Sequence, residues 1–201
     1  MSTHVADAEE TLVRSERLDL PLVPAVLLDA FIANDRATIA KVAPYAVPEH
    51  FPSRTNERRD GRDELTRFLT LRREQLARDP ARYPWSLRAI VLRAERRMIG
   101  FVNFHGAPGV NDVGAPDALE LGWSVFPEDR RKGYATETAA ALMEWATRVH
   151  GIRRFISATT PDNVPSLRVH EKLGFARTGE VVDGEIIFEL RRGPEGRSAL
   201  V

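Results

Sequence analysis

Leu18, Leu20 and Leu22 alternate with Arg17, Asp19 and Pro21, and this period of two predicts a first β-strand. The period then changes. After Pro24, the residues Leu27, Leu28, Phe31 and Ile32 share one face of a 3.6-residue repeat, so a helix is expected there. A second short helix fits residues 35–42 before Pro44, and residues 45–59, with Pro48 and Pro52, read as an irregular loop. Leu65, Phe68, Leu69 and Leu76 define a helical face within 62–78, which Pro80 ends.

From here β-strand patterns take over. Strands are expected over 85–93 and 97–105, joined by a charged turn at Ala94, Glu95 and Arg96, and over 118–126, where Pro127 stops the run. Residues 106–117, rich in Gly, Pro, Asn and Asp, form the loop between them. The clearest helix spans 134–150. Ala135, Ala139, Leu142, Ala146 and Val149 make its apolar stripe, Glu144 and Arg148 stand four apart, and Gly151 offers a left-handed cap. A strand over 153–160 follows, then a short helix capped by Asn163, with Pro165 in its first turn and Gly174 at its end. Strands 175–182 and 185–192 flank Asp183-Gly184, a hairpin signal. The order predicts one α+β domain over 16–192, a loose polar segment at 1–15 and a tail at 193–201.

Composition narrows the function classes. A chain of 201 residues that is 43% hydrophobic and 29% charged can bury one sizeable core and is not disordered. Lys+Arg and Asp+Glu both total 29, and a neutral chain argues against nucleic acid and against an anionic membrane surface. With no cysteine, disulfides, thiolate metal sites and a cysteine nucleophile are excluded, and a reducing cytoplasm is the expected setting. Residues 1–10 carry acids and no apolar core, unlike a secretory signal, and no run of about 18 apolar residues predicts a membrane span. His4, His50, His105 and His150 lack the close spacing of a metal site, so no metal is expected.

The segment 126–137, FPEDRRKGYATE, carries the first chemical signal. A strand that stops and turns at once into a helix leaves the first helical N–H groups without internal partners. Those groups and the helix dipole favour an anion. Gly133 lets the backbone approach a phosphate closely, and Arg130, Arg131 and Lys132 add positive charge. A phosphate or pyrophosphate site follows; a solvated basic turn with a helix-start glycine would read the same way. The P-loop pattern and a strand-linked GxGxxG are both absent.

The same segment resembles the acetyl-CoA motif of the GNAT acetyltransferases, in which Arg or Gln, then Gly, then Gly or Ala recur at fixed spacing. Arg130, Gly133 and Ala135 fill those places, between Val125-Phe126-Pro127 and Thr136-Glu137. Asn163 to Phe175, with Ser166, Glu171, Lys172 and Gly174, resembles a second segment of the ribosomal-protein N-terminal acetyltransferase subgroup, and Glu16-Arg17-Leu18 and Leu121-Gly122-Trp123 fit it too. The resemblance covers about residues 15–192.

It implies the GNAT fold: a mixed, mostly antiparallel sheet of six or seven strands, splayed beside the cofactor loop, with helices on both faces. It also implies that N–H groups from Arg131 to Thr136, Tyr134 and Ala135 included, hold the pyrophosphate of acetyl-CoA. The strand before the loop would carry a bulge, with the Val125 N–H polarising the thioester carbonyl. Asn163 would bind the pantetheine arm. The reaction would be direct transfer to a primary amine, with a protein or peptide N-terminus as acceptor. A small amine such as an antibiotic or polyamine is the second reading, a non-catalytic acyl-CoA-binding module the third, and a homodimer is compatible with the chain.

Proton transfer needs an acid and a base. Where many family members place a tyrosine, this chain has His170. Ser166 is therefore the expected acid, with His170 or water as alternatives. Glu120, between Leu119 and Leu121, is the expected base, its carboxyl raised by desolvation; pairing with an arginine or exposure to solvent remain open, and Glu185 is a further candidate. Trp85, Trp123 and Trp145 are expected in packing, with Trp123 near enough to line the site.

Overall fold

In the computed structural model, which describes residues 11–52 and 64–193, Leu12–Arg14 (β1) pairs antiparallel with Leu18–Pro21 (β2). The part of the expected loose segment that is described is thus a strand. Three residues are too few to display a period, but Val13 is buried opposite Leu20. Residues 1–10 lie outside the described residues, as do 53–63 of the expected loop and helix start, and the tail beyond 193.

The chain continues through α1 (Ala25–Ala33), α2 (Arg36–Val42) and α3 (Glu64–Arg78). Asp35 caps α2 by accepting from the Thr38 N–H at 3.1 Å. Strands β3 (Arg88–Leu92), β4 (Arg97–Phe104) and β5 (Ala118–Val125) come next, followed by α4 (Tyr134–His150) and β6 (Arg154–Thr159). The last elements are α5 (Val164–Leu173), β7 (Ala176–Val182) and β8 (Glu185–Arg191). Trp85, expected to open a strand, instead ends a short 3-10 turn from Pro80, because Pro84 cannot donate to a strand ladder.

One sheet of eight strands results, in the order β1-β2-β3-β4-β5-β6-β8-β7. Helices cover both faces. Alternation along β3 divides the core: Ala89 and Val91 meet α1–α3, whereas Ile90 and Leu92 join the cluster beneath α4. Trp85 and Trp145 pack in that second cluster, with Trp123 at its edge.

Every neighbouring pair is antiparallel except β5–β6, which the α4 crossover makes parallel. That pair is short. It runs from Ala118↔Arg154 to Glu120↔Ile156 and stops, although β5 continues to Val125 and β6 to Thr159. The strands part there, and a gap opens between their carboxyl ends.

Candidate active site

On its other side, β5 stays paired with β4 from Phe104↔Leu121 to Gly100↔Val125 without a register shift, so the expected bulge is absent and the opening comes from the splay alone. The Phe126 N–H donates to Ile99 O, and the His105 N–H to Glu120 O. Even-numbered residues of β5 therefore bond to β4, and the N–H and C=O groups of Trp123 and Val125 face the gap. The Val125 carbonyl accepts from Arg130 Nε at 2.9 Å, closing the loop back onto the strand.

The loop beyond β5 holds its backbone in an unusual shape. A 3-10 turn covers Pro127–Asp129, Arg131 has φ 63° and Gly133 has φ 84°. Gly133 then occupies the N-cap of α4 without any side-chain cap. The first N–H of that end to find an acceptor is that of Glu137, to Gly133 O at 3.1 Å; among the described residues those of Tyr134, Ala135 and Thr136 have none. This is the anion-seeking end of a long helix.

Two anchors, one buried and one half-buried, hold the loop in that shape. Asp129, 1% exposed in its side chain, takes both Arg97 Nη atoms, at 2.7 and 3.2 Å, and Lys132 Nζ at 3.2 Å. Arg97 foremost, with Lys132, keeps that carboxyl below its ordinary range against the opposing pull of burial. Lys132 is thus partly spent inside the protein. Glu137 is the second anchor: it accepts from Ser15 Oγ at 2.6 Å and from the Arg17 N–H at 2.8 Å. Arg17 also donates to Lys132 O at 3.1 Å, and its guanidinium lies 4.5 Å from the Tyr134 ring centre. Ser15, Arg17, Arg97 and Asp129 were not expected as site residues. Only contact across more than 100 residues, for Arg17 and Glu137, reveals the first two.

On the opposite arm, β6 leads to α5. Asn163 is exposed at the N-cap and its Oδ1 accepts from the Ser166 N–H at 3.3 Å. Ser166 is half-buried, and its carbonyl lies 2.8 Å from His170 Nδ1. Because β5 and β6 are parallel, the loop after one and Asn163 and Ser166 after the other stand at the same edge of the sheet.

His170 is wholly buried and stacked on Phe188 at 4.2 Å. A carbonyl can only accept, so Nδ1 carries the proton and Nε2 accepts from Ser157 Oγ at 2.9 Å. Burial pushes this imidazole down to about 4. It is a neutral packing group and not the proton donor that its sequence position allowed.

Glu120 lies on the other face of β5, also fully buried. Its Oε2 accepts from the Asp112 N–H at 2.8 Å. Oε1 stands 3.2 Å from His105 Nδ1, within ion-pair range but off the line of a hydrogen bond, and has no other partner among the described residues. Burial is the largest influence and pushes the carboxyl up, but His105 and the Asp112 N–H together leave it lowered. The raised carboxyl expected from the apolar flanks is therefore overturned: the fold supplies partners that the strand pattern does not show. Asp112 and Glu185 are instead raised, by burial first and then by neighbouring carboxylates. Donor atoms of His105, Asp112 and Glu120 lie within 4.8 Å of one another, a grouping that histidine spacing did not predict.

The chain matches the family model described as an acetyltransferase (GNAT) domain over residues 25–176. It is 34% identical over 90 residues to the uncharacterized N-acetyltransferase YnaD of Bacillus subtilis, covering 45% of this chain and 49% of that protein, about half of the relative's length. Aminoglycoside N(6')-acetyltransferase type 1 of Salmonella typhimurium is 39% identical over 68 residues, 34% of this chain and 46% of that protein. A Salmonella typhimurium acetyl transferase that modifies the N-terminal serine of 50S ribosomal subunit protein L7/L12 has the same fold, with TM-score 0.58 and 16% identity over 90% of this chain and 99% of that one. The family match runs from the start of α1 to the start of β7 and so contains the splayed strands, the loop and the uncapped helix: the chain belongs to the GNAT acetyltransferase family.

Proposed function

We propose that the protein transfers an acetyl group from acetyl-CoA to a primary amine by direct attack in a ternary complex. The observation that carries this reading is the uncapped start of α4, with three N–H groups lacking acceptors, at the carboxyl edge of a splayed strand pair. Backbone N–H groups from Arg131 to Thr136 take the pyrophosphate, and Gly133 lets the chain pass close to it. Bound there, acetyl-CoA supplies an activated acyl group. Asn163 holds the pantetheine arm, the Val125 N–H polarises the acyl carbonyl from within the gap, and Ser166 gives the leaving sulfur its proton. Glu120 belongs to the side that receives the acceptor's protons. No step needs a metal, and the cytoplasm is the setting we assign to the reaction.

A protein or peptide N-terminus is our first choice of acceptor, supported by the shared fold with the L7/L12-modifying enzyme. The crowded carboxylates Asp112, Glu120 and Glu185 favour a second choice, a polycationic small amine, and the local likeness to an aminoglycoside acetyltransferase points the same way.

Thermal unfolding tests the cofactor. Acetyl-CoA and CoA should raise the midpoint well above ATP or NAD at equal concentration, since only a ligand of the native state shifts it. Equal shifts with all four would reduce the loop to a generic phosphate site. Thiol release with serine-initiated peptides, spermidine and kanamycin then separates the acceptor classes.

A further inference from the structure

His105 and Glu120 form a pair that the reading above leaves half-used. Glu120 projects from β5 with no exposure, while the His105 side chain, just past the end of β4, is 33% exposed. Oε2 already accepts from the Asp112 N–H, and a proton on His105 Nδ1, 3.2 Å away, would give the orphaned Oε1 a partner. Catalytic hydrogen bonds are often poorly aligned before substrate binds, so the off-line geometry fits a resting site. A proton on Nδ1 leaves Nε2 as the ring's free acceptor.

That nitrogen lies where a base is useful. Nε2 is 3.5 Å from the position a Cβ on Gly122 would take, so the ring lies over a strand residue without a side chain. Gly122 comes two residues after the last β5–β6 pair, where the gap opens, and its missing side chain would point away from α4, on the face of Glu120.

We infer that His105 is the general base of the transfer and that Glu120 is a positioning residue acting through it, an inference that rests on the acetyl-transfer reading. Nε2 takes one proton from the acceptor ammonium. The amine nitrogen attacks the acyl carbon, the C–N bond forms and the C–S bond breaks. Ser166 gives the leaving sulfur its proton and takes the second nitrogen proton in its place, and the imidazolium returns the first to solvent. Around the ring stand Asp112 from the loop, Glu185 of β8, with Asp183 of the β7–β8 turn beside these two acids, and Arg72 of α3, whose Nη1 donates to His105 O at 3.1 Å. Arg82 lies beside Gly106.

Two measurements on the full chain decide it. Nitrogen-15 NMR of the histidines should find His105 protonated at Nδ1 and bare at Nε2, with that preference lost in Glu120→Gln; the opposite tautomer in the wild-type chain overturns the dyad. In thiol-release assays with serine-initiated peptide, spermidine and kanamycin, His105→Ala should lower kcat about 100-fold. Its KM for acetyl-CoA should be unchanged, and added imidazole should restore part of the rate. Glu120→Gln should lower kcat about 10-fold, a smaller share of the same effect. Full-rate transfer without His105 removes the base role alone. Acetyl-CoA binding by wild type with no transfer to any amine removes the reaction reading and the base role with it.

Discussion

The two arms of the gap are built from different materials. After β5 the material is backbone: one loop of consecutive residues, Arg130 to Thr136, turned through two positive φ angles, where the N–H groups of Tyr134, Ala135 and Thr136 have no acceptor among the described residues. Around Glu120 the material is side chain: an imidazole just past the end of β4, a carboxylate from β5 and two more acids from the 106–117 loop and β8. A backbone site tolerates many side chains and forbids certain conformations. A side-chain site is the reverse, since each group acts by its chemistry. The histidines carry the same contrast, His170 buried, neutral and structural, His105 half-open beside a carboxylate.

The largest effect is expected at Gly133. A Cβ there meets only Arg17 Nη2, at 3.5 Å, so the protein has room for it; the objection is conformational, at φ 84°. Valine in that region costs about 1–3 kcal/mol of strain, and relief of it turns N–H groups away from the ligand. Gly133→Val should weaken acetyl-CoA binding about 1000-fold, near 4 kcal/mol, by calorimetric titration, with circular dichroism unchanged. Wild-type affinity in the folded variant would break the backbone half of the comparison.

His170 is expected to govern stability in mild acid. Its folded pKa of about 4 lies below the 6.5 of a free imidazole, so the unfolded chain binds a proton first. Stability is whole above pH 6.5 and falls as pH drops towards 4, by about 3 kcal/mol in all. Raised acids such as Asp112 and Glu185 act in the opposite sense, and lowered ones such as Asp129 lose their contribution only from the carboxylate range downward. Denaturant titrations of wild type against His170→Phe isolate the histidine: the difference between the two should shrink as pH falls through this window. A parallel pair of curves would return His170 to the list of proton carriers.

Asp129→Ala should remove about 2 kcal/mol of stability, less than a fully buried pair would cost because Arg97 is 30% exposed. It should weaken acetyl-CoA binding as well, since the loop loses its inner anchor. Lys132→Ala, by contrast, removes a half-exposed charge already shared with Asp129 and should cost under 1 kcal/mol in affinity. If Lys132→Ala proved worse than Gly133→Val, charge and not backbone shape would hold the cofactor.

The loop was legible because its signals are adjacent: a strand stopped by Pro127, three basic residues, Gly133 and a strong helical stripe within a few turns of chain. Seven of the eight strands were legible from period and turn residues, and the eighth, Leu12–Arg14, was too short to show one. The strand pattern points to Glu120 but not to its surroundings. Leu119 and Leu121 announce burial, and nothing near them in sequence announces His105 or the Asp112 N–H. His170 illustrates the same limit, since Ser157 and Phe188 reach it from β6 and β8.

By itself, then, the sequence determined what depends on neighbours along the chain: helix and strand periods, caps, the hairpin at Asp183-Gly184, and a glycine at the start of the longest helix. Tertiary structure alone decided the early end of the β5–β6 ladder after Glu120, the pairing of Arg17 with Glu137 and of Arg97 with Asp129, and the meeting of His105 with Glu120. The reason is physical. Backbone conformation is set within a few residues by sterics and local hydrogen bonding, whereas the charge state of a buried group is set by whatever the fold brings within a few ångströms of it.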